Sequence, residues 1–178
     1  MHSLKKLALT CITLLIVLAV VSPAQAFFGS KFEKEFEKEK EAVKLVRDAR
    51  AGGYDVIATQ ELKGWIEEGK DMVIVDTMPY EASYMKAHVP GAEQFLFPIP
   101  TMEEWDSKET AGKSQAEFEA LLGKDKNKVI VVYCGFVKCT RSHNGALWAK
   151  KLGYKNVFRY PGGIYGWKGA GYDAEKVK

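Results

Sequence analysis

Two runs in this chain are apolar almost without interruption, "MVIVD" (72–76) and "KVIVVYC" (128–134), and both are too short for helices. Runs of this kind belong to strands buried on both faces of a sheet. "DVIAT" (55–59), the end of "HVPGAEQFLF" (88–97) and "NVFRY" (156–160) read as three further strands. Helical segments separate them. Thr59 is placed to cap a helix through about Glu68, and Pro79 opens a short helix up to Lys86. Ser114 and Glu117 have capping-box spacing for a helix through Leu122. A helix covers about 141–152, and Gly162-Gly163 opens a last one ending near Gly169; residues 98–114 are mostly surface loop. Strands alternating with helices predict an α/β fold, with a roughly five-stranded parallel sheet covered by helices on both faces.

The pattern differs before residue 54. Residues 31–50, "KFEKEFEKEKEAVKLVRDAR", predict a charged helix with Phe32, Phe36, Val43 and Val46 near one face, leaning on the domain and stopped by Gly52-Gly53. Residues 1–26 carry Lys5 and Lys6, an apolar run from Leu7 to Val21 and a closing Ala24-Gln25-Ala26, the pattern of a cleavable signal peptide. That run of about 15 residues is short for a bilayer span of ~20. The expected organisation is therefore a signal peptide (1–26), a charged helix and linker (27–53) and a domain (54–178), with no membrane span after cleavage and a periplasmic or otherwise exported location. Cleavage leaves 152 residues, and because the leader carries two lysines and no acid the formal charge falls from +3 to +1. A charge so near zero suggests no nucleic-acid partner.

Export changes the meaning of the cysteines. Cys11 leaves with the leader, so Cys134 and Cys139 remain, in a compartment where neighbouring thiols are often oxidised to a structural disulfide. Cys134, however, stands where the fourth strand meets the next helix, the place where α/β sheets gather reactive groups. A loop curling around its sulfur would turn backbone N–H groups inward, and Lys138, Arg141 and the helix beginning near Arg141 would add positive charge. Each favours a thiolate or a bound anion. Phe136 and Val137 add apolar surface suited to a polarizable sulfur chain.

Three segments, "VIVDTMPYEASYMKAHVPGA" (73–92), "VIVVYCGFVKCTRSHNGALWAKKLGY" (129–154) and "NVFRYPGGIYGWKGAGY" (156–172), together resemble the single-domain rhodanese, or sulfurtransferase, family. The likeness runs from about Asp55 to Tyr172. It implies that Cys134 is the nucleophile, that Arg141 closes its loop and that Ser142 begins the helix. Gly135, Phe136, Val137, Cys139 and Thr140, with Ser142, then line the substrate site, and Lys138 assists Arg141. The implied reaction takes sulfane sulfur from a small anionic donor (thiosulfate, polysulfide or a persulfide) onto Cys134 and passes it to a thiol or protein acceptor. No metal or organic cofactor is implied. Two thiolates with only His88 and His143 to join them also make a poor tetrahedral metal set. Asp76, His88 and Trp167 match the family and are read as framework, and His143 as solvent-exposed.

The chain also departs from the family. Six residues separate Cys134 from Arg141, where many members have four and phosphatase relatives five, so phosphatase activity is not expected. Met78 and Ala87 replace a frequent arginine and glycine. Cys139 is the other departure: it is placed to attack a persulfide on Cys134 and close an intraloop disulfide. A dithiol–disulfide redox protein and a non-catalytic binding module on the same scaffold therefore stand as alternatives, and a homodimer is an open possibility.

Overall fold

The structure is a computed structural model that describes residues 23–177. The leader expected over residues 1–26 lies, through residue 22, outside them. Among the described residues no helix is long and apolar enough to cross a membrane. The chain divides into two compact units, Met1–Lys40 and Glu41–Lys178. The described part of the first is the start of helix α1 (Pro23–Gly52), laced by the ion pairs Glu35–Lys38 and Glu37–Lys40.

The second unit holds the end of α1 and all five strands. After β1 (Asp55–Val56) come α2 (Thr59–Glu67), β2 (Met72–Asp76), one π-helical turn (Tyr80–Tyr84) and β3 (Ala92–Gln94). Then follow α3 (Gln115–Leu122), β4 (Val129–Tyr133), α4 (Arg141–Lys151), β5 (Asn156–Tyr160) and α5 (Gly163–Gly169). The strands form one parallel sheet in the order β1-β5-β4-β2-β3, the α/β fold expected.

Strand alternation fills both faces. Val75, Ile130, Val132 and Val157 pack with Phe118 and Leu122 of α3, with Ala146, Trp148 and Ala149 of α4, and with Phe95 and Phe97. On the opposite face Ile74, Val131, Tyr133 and Tyr160 meet Leu62 of α2 and Ile164 and Trp167 of α5. Gly145 lets α4 approach closely, because a Cβ there would lie 2.8 Å from Val132 Cγ1. In the central strands Asp76, Tyr133 and Tyr160 stand in register, so β2, β4 and β5 end at one level and Cys134 leaves the middle of that edge.

Three local expectations change. Thr59 does not cap α2: Ala58 holds that place, its N–H donates to Glu61 Oε2 (2.9 Å), and the Thr59 hydroxyl pairs with that of Tyr160 (3.0 Å). The helix expected after Pro79 is a single wide turn. In α1 the apolar positions Val43 and Val46 are exposed, while Glu41, Leu45, Asp48, Ala49 and Gly52 form the more sheltered stripe. That stripe repeats at helical spacing but carries two acids, Glu41 and Asp48, whose basic partners appear below. The capping box at Ser114 forms as expected, with Ser114 Oγ and the Glu117 carboxylate serving one another's amides.

Asp76, His88 and Trp167 are framework residues, as expected. His88 Nδ1 pairs with the Tyr84 carbonyl (2.9 Å) and its ring stacks on Tyr84; Trp167 Nε1 donates to the Asp173 carbonyl (2.7 Å). Asp76 Oδ1 accepts from the Met78 amide (2.8 Å), but Oδ2 is buried without a partner. Burial pushes the carboxyl from 3.8 up to about 6, against the lowering influence of Tyr133, the Met78 amide and His88.

A carboxyl raised in the folded state favours folding fully below its unfolded pKa and loses that advantage as pH rises through the folded one. At neutral pH the Asp76 carboxylate therefore costs on the order of 2–3 kcal/mol. Asp76→Asn is expected to gain stability relative to the parent as pH rises from about 4 to about 6, and to keep that gain at neutral pH. Urea melts of both proteins across that range check this, and a constant difference between them would contradict it.

Candidate active site

The end of β4 is fixed from three sides. Thr77 donates its N–H (2.9 Å) and hydroxyl (2.7 Å) to the Tyr133 carbonyl, and the first turn of α5 binds the next two peptides: Ile164 N–H donates to Cys134 O and Tyr165 N–H to Gly135 O, each at 3.0 Å. Gly163 makes the latter contact possible: its φ is +59°, and a Cβ there would lie 2.1 Å from Cys134 O.

Cys134 is 1% exposed, and its sulfur meets two carbonyls besides the hydroxyl and N–H of Ser142. Sγ lies 3.4 Å from the Cys139 carbonyl, 3.8 Å from the Phe136 carbonyl and 3.3 Å from Ser142 Oγ. Of the inward-turned amides expected around Cys134, those of Gly135 and Arg141 serve Cys139, whose sulfur also takes a hydrogen bond from the Cys134 thiol, while that of Ser142 serves Cys134. The electrostatics follow. Burial, then the neighbouring Cys139, push the Cys134 thiol well above its ordinary pKa. The bond from Cys134, the two amides and the Arg141 charge hold Cys139 well below the thiol range despite partial burial. Burial and the neighbouring sulfur thus disfavour the charged form of Cys134, while the loop donors favour that of Cys139, a reversal of the expected order of acidity.

Each expected cation also has a different partner. The Arg141 guanidinium donates through Nη1 to the Phe97 carbonyl and reaches Cys139 only through its charge and its backbone N–H. Lys138 pairs with Glu41 of α1 at 3.1 Å, on the outside of the loop. The cation beneath the loop is Arg159 of β5, a residue with no measurable exposure. Its Nε donates to Ser142 Oγ (3.0 Å), Nη2 to the carbonyls of Val137 (3.1 Å) and Cys139 (2.9 Å), and Nη1 to Asp48 Oδ2 of α1 (3.0 Å). Burial raises Asp48, but Lys44, His143 and Arg159 together bring its pKa below the usual value.

The remaining loop residues line the same place. Phe136 is half-exposed and stacks on Tyr165 (5.6 Å between centroids), forming an apolar lip. Thr140 precedes α4 without a side-chain capping bond, and Ser142 sits buried between Cys134 and Arg159. His143 is not solvent-exposed as expected: it is buried at 6%, pairs through Nδ1 with the Tyr54 hydroxyl (2.7 Å), and burial lowers its pKa. Asn144 fixes the neighbouring loop, accepting from Met102 N–H and donating to the Pro98 and Pro100 carbonyls. Among the described residues no group of three or more His, Cys, Asp or Glu side chains is placed to hold a metal ion.

Sequence reading missed Arg159, Asp48, Tyr54 and Asn144. Only Arg159 left a signal: a charged residue set between the aromatic Phe158 and Tyr160 inside a strand.

Comparison with known proteins agrees with this architecture. The Rhodanese-like domain family matches residues 58–170, and the chain belongs to that family. No curated protein matches it. Among solved structures, it is similar to a thiosulfate sulfurtransferase from Pseudomonas aeruginosa (TM-score 0.56, 21% identity), covering 78% of this chain and 23% of that one. It is similar also to a Bacillus halodurans protein (TM-score 0.52, 21% identity, covering 76% of this chain and 87% of that). A third likeness is to the polysulfide-sulfur transferase homodimer of Wolinella succinogenes (TM-score 0.50, 17% identity, covering 83% and 92%). At these identities the likeness is one of fold.

Proposed function

We propose that this protein is a sulfurtransferase that moves sulfane sulfur from thiosulfate, a polysulfide or a small persulfide to a thiol acceptor, through a persulfide on Cys134. One observation carries the reading: beside Cys134 Sγ lies a place lined by the N–H groups of Gly135 and Arg141, which the Cys139 sulfur takes. The outer sulfur of a Cys134 persulfide needs the same surroundings, two N–H donors and the nearby Arg141 charge. The family match and the fold shared with two named sulfur transferases support it.

The chemistry follows from the resting hydrogen bond. Cys139 takes the Cys134 proton and swings aside; the Cys134 thiolate attacks the outer sulfur of the donor, and the old S–S bond breaks with its electron pair leaving on sulfite or on a shorter thiolate. Gly135 and Arg141 amides receive the new outer sulfur, and Ser142 donates to Cys134. Phe136 and Val137 give the loop its apolar side, while Thr140 and the Lys138 ammonium border the entry. Reaction with an acceptor thiolate returns Cys134 to the start. We further propose that residues 1–26 are removed and that the domain of residues 54–178 works outside the cytosol.

Intact mass before and after thiosulfate or polysulfide, with peptide mapping, tests both statements. The mature chain is expected to begin at Phe27 and to gain sulfur on the Cys134 peptide. Cys134→Ala is expected to fold normally and to lose transfer altogether; transfer retained in that variant sinks the assignment.

A further inference from the structure

The sulfurtransferase reading leaves one acidic sulfur unused after the first step. Cys139 lies five residues from Cys134 in the same loop, its carbonyl 3.4 Å from Cys134 Sγ, and is the more exposed of the two. Its backbone is not free to drift: the Cys139 carbonyl accepts from Arg159 Nη2 (2.9 Å) and Ser142 Oγ (3.4 Å), and its N–H donates to the Phe136 carbonyl (3.0 Å). A thiolate anchored in this way stands closer to a sulfur on Cys134 than any external thiol, which would have to pass the Phe136–Tyr165 lip to reach a residue that is 1% exposed.

Resting on that reading, we propose that Cys139 discharges the Cys134 persulfide reductively, so that the protein releases hydrosulfide and is left with a Cys134–Cys139 disulfide. The Cys139 thiolate attacks Cys134 Sγ and forms the new S–S bond. The bond from Cys134 to the outer sulfur breaks, and its electron pair leaves on that sulfur, which takes one proton and departs as HS⁻. Sulfane sulfur is reduced to sulfide, and the two cysteines are together oxidised by two electrons. A dithiol reductant then opens the disulfide by exchange and restores the pair. With thiosulfate as donor, one turnover converts thiosulfate and a dithiol into sulfite, hydrosulfide and a cyclic disulfide. The longer loop of this chain gives the arrangement its purpose: the inserted length carries a second thiol into the place that a persulfide's outer sulfur would otherwise keep.

The test uses the full chain, fully reduced and freed of reductant, as parent and as Cys139→Ser, a variant that spares Cys134. Each is given thiosulfate or polysulfide without added thiol, and sulfide, sulfite and non-reducing peptide maps are followed. The parent is expected to release sulfide in amount equal to the disulfide formed, to stop after one turnover, and to resume when dithiothreitol is added. Cys139→Ser, which lacks the base that takes the Cys134 proton, is expected to load sulfur on Cys134 more slowly but then to hold it, each loaded sulfur leaving as sulfide at least about tenfold more slowly than in the parent, because the attacking thiol is no longer intramolecular. If the parent holds its sulfur as long as Cys139→Ser does, or forms disulfide without sulfide, reductive discharge is wrong while sulfur transfer stands. If neither protein gains sulfur from either donor, both readings fall.

Discussion

Arg159→Met is expected to destabilise the protein by about 3–5 kcal/mol, the usual cost of removing one partner from a buried charge network. Three nitrogens of this guanidinium hold four acceptors: Ser142 Oγ, the carbonyls of Val137 and Cys139, and the Asp48 carboxylate. Methionine fills much of the volume but satisfies none of them, and two loop carbonyls are left facing a sealed interior. For a chain of this length the loss corresponds to a fall in melting temperature of about 10 °C or more. The functional loss has a separate cause. Arg159 Nη2 holds the carbonyl of Cys139 itself, and so keeps that residue where its sulfur meets the N–H groups of Gly135 and Arg141. Iodoacetamide labelling of Cys139 near neutral pH is therefore expected to slow in any folded fraction. Arg159→Lys should rescue part of the stability and little of the labelling, since an ammonium lacks the fork that spans Val137, Cys139 and Ser142. A variant that melts with the parent and labels at the same rate would mean that the loop supports itself.

Gly163→Ala should do comparable damage with a much smaller atom. The position has φ +59°, where an L side chain is strained by roughly 1–2 kcal/mol, and the added Cβ would meet Cys134 O at 2.1 Å and Gly135 C at 2.6 Å. These are backbone atoms in the middle of the sheet edge, so no flexible side chain can give way. Either α5 or the end of β4 must move, breaking the bonds from Ile164 and Tyr165 to the Cys134 and Gly135 carbonyls. A shift of that size at the reacting sulfur is expected to lower the rate of sulfur loading by about 100-fold. Circular dichroism and single-turnover loading on the same sample separate folding from chemistry. Loading at the parental rate would show that the close approach is not maintained in solution.

The sheet was legible in the sequence because its central strands β2 and β4 are nearly continuous apolar runs, and β5 matches its expected bounds of 156–160. The sulfur loop was legible as a place, since a cysteine closing the middle strand of such a sheet has few other locations. Its electrostatics were not. Where the Cys139 sulfur sits depends on Arg159, which holds the Val137 and Cys139 carbonyls, and on Asp48, which pairs with Arg159, and both lie well outside the motif in the sequence. Asp48 was hidden twice, once by its place in a helix full of charges and once because Val43 and Val46 suggested the wrong sheltered face. His143 looked like a surface residue because a helix start usually is one; here Tyr54 covers it.

The strand order also has a consequence for when the loop tightens. β1 pairs only with β5, joining Asp55 to Phe158 across most of the domain's length, whereas β2 and β3 pair after a short excursion. Contacts between distant parts of a chain form late in folding and, when they involve a two-residue strand at a sheet margin, open early. Asp48 and Tyr54, which steady Arg159 and His143, lie just before that strand. The elements that hold the sulfur loop taut are thus the last to arrive and the first to fray, and the tension on the two cysteines is set at the sheet's least durable seam.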